Sequence, residues 1–264
     1  MAILYRSKTE IEGIRRAGQV VMEILAVLRE AVRPGVTTGE LDAIAARELA
    51  RREARSNFKG YVPRKGIPPF PGVICASVND EIVHGIPGRR VLQEGDIIAV
   101  DFGAIVDGWH GDSAVTLPVG AVTAEAERLL TVTREALWRG IAQVRPGHRV
   151  SDISKAVQGY VEGQGCAVVR QYVGHGIGRA LHEEPSVPNY FDPDPRVPDP
   201  RLRPGMVICI EPMVNLGAAD TRELRDRWTV ASADGSLSAH FEHTVAVTSG
   251  EPDVLTAHVA SPAA

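Results

Sequence analysis

Apolar residues recur at helical spacing in four places along the chain. Ile11, Ile14, Val21, Leu25 and Leu28 mark the first, and the charged stretch from Met1 to Gly18 shares its helical pattern. Thr38 to Ala54 follows with Leu41, Ile44, Ala45 and Leu49. Leu129, Val132, Ala136, Leu137, Ile141 and Val144 mark the third, and Ser151 to Gly163 carries Ile153, Ala156, Val157 and Tyr160. Thr38 and Ser151 suit helix N-caps, because a hydroxyl there accepts from a free backbone N–H. Runs rich in Val and Ile over 73–83, 97–105, 115–119, 207–210 and 243–248 predict strands. Asp107-Gly108 and Asp234-Gly235 predict hairpin turns. Pro63–Pro71 and Pro185–Pro204 predict rigid extended loops, and the tail after Thr248 an irregular one. The pattern implies an α+β chain, with a curved and mainly antiparallel sheet covered by helices on one face.

The pattern also repeats. Val32-Arg33-Pro34-Gly35 returns as Val144-Arg145-Pro146-Gly147, 112 residues later (147 − 35), and each copy ends one helix and precedes another. His84-Gly85-Ile86 is answered by His175-Gly176-Ile177. Gly95 leads through apolar residues to Asp101, as Gly205 leads to Glu211. A single domain over 1–264, built as pseudo-twofold halves of about 8–120 and 121–248, accounts for this order. Its site is then expected where the halves meet.

The acids near that junction carry the chemistry. If Asp107-Gly108 closes a two-residue turn, Val106 faces Trp109 and Gly103 faces Asp112. Asp101 and Gly103 share one strand face, so Asp101 and Asp112 become diagonal neighbours roughly 7–8 Å apart, with Gly103 leaving open space between them. Two carboxylates on an apolar strand repel each other and need protons or cations. Glu211, Glu242 and His175 would complete a donor set for two divalent ions such as Mn, Fe, Co or Zn, since four carboxylates balance two dications. Glu211 before Pro212 equally suits a strand end, and His175 among glycines equally suits a structural histidine. The glycines would let the backbone bend tightly around that imidazole. His243 points away from Glu242 by alternation, so neither His240 nor His243 is given a metal role, and His110 and His148 read as surface residues.

Composition narrows the partners. The net charge of −4 and a pI near 6.1 supply no field for nucleic acid or an anionic membrane. The cluster Arg47, Arg51, Arg52 and Arg55 reads as a solvated helix face. Three cysteines with no C-x-x-C pair point to a reducing cytoplasm. No apolar leader segment is present, and no apolar run reaches the ~18 residues of a membrane span.

Five stretches together resemble the type I methionine aminopeptidases of the pita-bread fold. They are Asn79–Pro87, Asp107–Asp112, Gly174–Arg179 with His182–Pro185, Ile210–Asn215 and Ser236–Thr244. The resemblance runs from about Lys8 to Thr248. It implies removal of the initiator methionine from nascent polypeptide N-termini, with a small second residue preferred. It also implies two divalent metal ions (Co, Mn, Fe, Zn or Ni). Asp101 and His175 would each hold one ion, Asp112 and Glu242 would bridge, and Glu211 would complete the second site and relay a proton from a shared water. His84 would lie by the scissile amide and His182 by the developing oxyanion. The methionine pocket would be formed by Ile67, Phe70, Cys75, Leu181 and Trp228, a polarizable lining for a thioether. Many relatives carry an aromatic at Leu181 and a hydroxyl residue at Gly103, and the Pro63–Pro71 loop departs from the commoner pattern. The resemblance implies a monomer and is compatible with work close to the ribosome, although no docking patch is evident. Two alternatives stay open: a proline-specific aminopeptidase or dipeptidase of the same fold, and a non-catalytic pita-bread binding protein.

Overall fold

The structure is a computed structural model, and it describes residues 2–257. Four helices are found among these residues: α1 (Lys8–Ala31), α2 (Thr38–Arg51), α3 (Ala124–Ile141) and α4 (Val150–Gly163). Their starts correct the expected caps. Residues 2–7 are not helical; α1 begins where the Ser7 hydroxyl accepts from the Glu10 N–H while the Glu10 carboxylate accepts from the Ser7 N–H. α2 repeats this box with Thr37 and Glu40, so Thr37 and not Thr38 is the cap. α4 starts before Ser151, with Arg149 as N-cap. Asp199, from the loop opposite, accepts from both the Ser151 N–H and its hydroxyl, and this supplies the acceptor that a capping side chain would otherwise provide.

The first half is built on one long hairpin, Ile97–Val106 with Trp109–Pro118. Asp107 and Gly108 both have positive φ (50° and 74°), the geometry of the expected two-residue turn. The expected register holds, with Val106 opposite Trp109 and Gly103 opposite Asp112. The second strand begins six residues earlier than its Val-rich part, because pairing rather than propensity holds Trp109–Ala114 extended. Ile74–Val78 pairs with the other edge of Ile97–Val106, and Asn79 (φ 62°) breaks the expected 73–83 strand before Glu81–Val83. α1 crosses the hairpin closely. A Cβ on Gly111 would lie 2.5 Å from the Gly18 nitrogen, so Gly111 must be glycine for the helix to pass this close. Ile24, Leu28, Leu41, Val100 and Phe102 fill the space between α1, α2 and this sheet.

In the second half, a five-stranded antiparallel sheet runs in the order Asp253–Val254, His243–Ala246, Val207–Ile210, Gly174–Gly176, Glu183–Val187. α3 and α4 pack on this half through Leu129, Leu137, Ile153, Ile208 and Ile210. Three expectations fail here. Pro185 lies in a strand, which is tolerable because that strand is the sheet edge. The tail after Thr248 returns as Asp253–Val254, pairing with Val245 and Ala246; residues 258–264 of that tail lie outside the described residues. Asp234-Gly235 turns the chain but makes no hairpin. Val230–Ser232 before it pairs with Thr221–Glu223 and Glu81–Val83, whereas Ser238–His240 after it pairs with Met213–Asn215. The three cysteines are free and buried.

Candidate active site

Two chain interruptions set up the centre. Val207–Ile210 pairs with His243–Ala246, and Met213–Asn215 pairs with Ser238–His240, so the same two chain stretches cross from one sheet to the next together. Between these ladders, Glu211-Pro212 stands opposite Phe241-Glu242, with the Phe241 N–H donating to the Pro212 carbonyl. Proline cannot donate to a ladder, so the pairing pauses there and releases both glutamates from regular alternation. The hairpin of the first half then locks onto this interruption. Ala114 and His240 accept from Glu242 N–H and the Thr116 hydroxyl respectively, and the Ser113 hydroxyl donates 2.6 Å to the Glu242 carbonyl. The Thr244 hydroxyl donates 2.8 Å to the Asp112 carbonyl. These bonds bring the acids of the two halves to one place.

Asp101, Asp112 and Glu242 each offer an oxygen within 4.8 Å of the others. His175 Nε2 lies 4.0 Å from Asp112 and 3.6 Å from Glu211. Its Nδ1 donates 2.9 Å to the Gly176 carbonyl in the neutral tautomer, which leaves the Nε2 lone pair facing the acids. Gly174 and Gly176 serve a different purpose from the one expected. A Cβ on either would strike a neighbouring strand's carbonyl oxygen, at Cys209 and Glu184, so they permit close strand packing rather than a tight bend. The space at Gly103 is not open either: Asn57 fills it, donating to the Gly111 carbonyl.

The electrostatics of this donor set favour cations. Burial pushes Asp101 up to about 7 and holds Asp112, Glu211 and Glu242 well above the usual carboxylate range, and mutual repulsion adds to the last three. One oxygen each of Asp101, Asp112 and Glu242 is buried without a hydrogen-bond partner. Burial lowers His175 to about 3, so it is neutral and able to ligate. Orphaned acceptors, crowded carboxylates and a free imidazole lone pair together fit divalent metal. Cys209 Sγ also lies near His175 and Glu242. Burial and the adjacent carboxylates raise its thiol well above its ordinary range, so it stays protonated and is a poor ligand.

Every candidate from the sequence lines one cavity of about 430 Å³. Ile67, Phe70, Cys75, Leu181 and Trp228 form its apolar wall; Trp228 is anchored by its indole N–H to the Pro68 carbonyl and meets Phe70 edge-on at 5.1 Å. His84 has a positive φ of 59° and meets Tyr172 and Trp228 edge-on, and burial lowers it to about 4. Gly85 must be glycine, because the Ala76 backbone presses on it. His182 lies beside His175 with ring centroids 4.4 Å apart, and its Nδ1 is 3.1 Å from the Tyr61 hydroxyl. Sequence reasoning missed Tyr61 and Tyr172, which lie in no matched motif and reach the site through loops. It also set His240 aside, yet His240 lines the cavity 3.7 Å from Glu211. His243 does turn away, toward Thr256 and Trp138. His110 is half-buried rather than at the surface, because its strand lies against the Gly178 carbonyl.

The metallopeptidase family M24 model matches residues 12–249. This chain belongs to metallopeptidase family M24. Within it, the chain is 48% identical to methionine aminopeptidase 1 of Bacillus subtilis over 96% of its own length and 99% of that relative. The solved methionine aminopeptidase of Rickettsia prowazekii superposes with a TM-score of 0.91 at 38% identity, covering 97% of this chain and 100% of that one. A Xaa-Pro dipeptidase from Bacillus anthracis shares the fold (TM-score 0.75, 22% identity), but this chain spans only 62% of it. The M24 match agrees with the donor set built above, and the antiparallel sheets with their outer helices are those of the pita-bread fold. Among the described residues no helix is long and apolar enough to cross a membrane.

Proposed function

We propose that this M24 chain removes the N-terminal methionine from new polypeptides in the cytoplasm, acting on those whose second residue is small. The observation that carries this is one cavity lined both by the cluster of Asp101, Asp112, His175, Glu211 and Glu242 and by the apolar side chains Ile67, Phe70, Cys75, Leu181 and Trp228. Asp101, Asp112, His175, Glu211 and Glu242 would hold two divalent cations. Bound there, such ions would supply Lewis acidity toward a carbonyl and lower the pKa of a nearby water.

The chain's own groups do the rest. Glu211, at the edge of the cluster 3.6 Å from His175 Nε2, accepts the proton that the attacking water gives up. His182, oriented by Tyr61, donates to the developing oxyanion. His84 stands neutral beside the pocket, where it hydrogen-bonds the scissile amide. Phe70 and Trp228 exclude water from the methionine side chain, and Cys75 adds a polarizable contact.

The test is turnover of Met-Ala-Ser against an Xaa-Pro peptide, after chelation and after return of each of Mn, Fe, Co, Ni and Zn. Metal-restored cleavage of Met-Ala-Ser is expected. Faster cleavage of the Xaa-Pro peptide would reject the substrate, and no cleavage with any metal would favour a binding protein.

A further inference from the structure

Among the described residues, His240 is the one histidine facing the cavity that the proposed chemistry leaves without a task. It is 2% exposed, and neither ring nitrogen has a hydrogen-bond partner. Its backbone is fixed on both sides by the Thr116 hydroxyl, which accepts from the His240 N–H and donates to its carbonyl. The ring is therefore held in the wall by the first half's hairpin while it faces the second half's acid. Leaving both polar atoms of a buried ring unused is costly, so the position calls for a reason.

The reason lies in how Glu211 is flanked. Its Oε1 is 3.6 Å from His175 Nε2, and its Oε2 is 3.7 Å from His240 Nε2. One carboxylate thus lies between two imidazoles, each facing a different oxygen. His175 Nδ1 is committed to the Gly176 carbonyl, so its Nε2 has no proton to give. His240 has no such commitment and is free to carry its proton on Nε2. The gap of 3.7 Å is just beyond a hydrogen bond and too narrow for a bridging water, so a small rotation of the Glu211 side chain closes it. The Asn189 amide, bonded to the Glu211 carbonyl, fixes the backbone but leaves that rotation free.

We propose that His240 is a positioning residue for Glu211: its neutral imidazole donates from Nε2 to Glu211 Oε2 and so directs Oε1 toward the metal-binding side. This rests on the reading of Glu211 as a ligand and proton acceptor. Partners of this kind set the orientation of a ligand and, when removed, cost about 10- to 100-fold in metal affinity.

The experiment uses His240→Gln, His240→Asn and His240→Leu, with Mn²⁺ affinity by calorimetry on chelator-treated protein and kcat and KM for Met-Ala-Ser. A glutamine amide places its N–H near the position of Nε2, whereas asparagine reaches only as far as Nδ1. His240→Leu and His240→Asn should each weaken the looser Mn²⁺ site by about tenfold and lower kcat with little change in KM. His240→Gln should restore both to within about threefold of the parent. If His240→Leu fails to fold, the contrast between Asn and Gln still decides. Equal Mn²⁺ affinity in all variants would overturn the inference, as would Asn and Gln behaving alike. A parent protein that binds no Mn²⁺ would instead sink the reading of the centre itself.

Discussion

The two halves of the molecule deliver their acids by different means. In the first half, Asp101 and Asp112 are eleven residues apart (112 − 101) on one hairpin, and the turn between them fixes their relation. In the second, His175, Glu211 and Glu242 are separated by 36 and 31 residues (211 − 175 and 242 − 211), His175 within its strand and the two glutamates just beyond the ends of theirs. The first pair is local and tolerates only one register, because a one-residue slip of the Trp109–Pro118 strand would turn Asp112 to the opposite face from Asp101. The second set depends on paired interruptions across two sheets and on a seam to the first half. A local device sets spacing, and a nonlocal one supplies the charge balance and the imidazole.

Substitutions of the acids test that contrast most severely. Asp112→Asn from the local pair and Glu242→Gln from the nonlocal set should each reduce cleavage of Met-Ala-Ser by about 10³-fold or more, beyond what loss of one catalytic donor costs. Both should bind fewer than two ions by elemental analysis. Normal loading in either would remove it from the bridging role.

His182→Ala is expected to be less severe. Loss of one oxyanion donor should lower kcat about 10²–10³-fold while both ions stay bound. Loss of metal in this variant would mean that His182 supports the donor set rather than the substrate.

The pH response follows from the directions of the shifts. Folding raises Asp101 to about 7 and the other three acids well above their ordinary range, so the folded chain holds protons that the unfolded chain has lost. That contribution is complete below the ordinary carboxylate range and is lost as pH rises through the folded values. Folding lowers His84, His175 and His240, whose contribution is lost as pH falls from about 6.5 toward 3–4. Above pH ~6.5 the imidazoles are neutral in both states and only the acids act. The Tm of chelator-treated protein should therefore fall between pH 6.5 and 8.5, and added Mn²⁺ should raise it more at 8 than at 6.5. A flat Tm without metal would show that the acids are not crowded as described.

The smallest effect is expected at the apolar wall. Leu181→Ala removes buried contact from the methionine side, a loss of about 1–3 kcal/mol in substrate binding. KM should rise about tenfold with kcat nearly unchanged. A fall in kcat alone would place Leu181 in the alignment of the reacting bond instead.

Much of this was legible in the chain itself. Periodicity marked the four helices, and the Asp-Gly turn at 107 and 108 fixed the Asp101–Asp112 relation before any coordinates, since a two-residue turn admits one register. The motifs around His84, His175, Glu211 and Glu242 named the residues that converge on the cavity. The starts of α2 and α4 shifted by one or two residues because caps depend on which acceptor folds back, and Asp199 lies 48 residues from Ser151. The Asp234-Gly235 turn misled because a turn says nothing about which strands will pair afterwards. Asn57 over Gly103, Tyr61 against His182 and the unbonded ring of His240 beside Glu211 were visible only once the halves had closed. Alternation and turn chemistry act over a few residues, and so the sequence determined the candidate residues and the local spacing of Asp101 and Asp112. Which side chains complete, orient and enclose them depends on contacts between distant segments, and only the tertiary structure decided that.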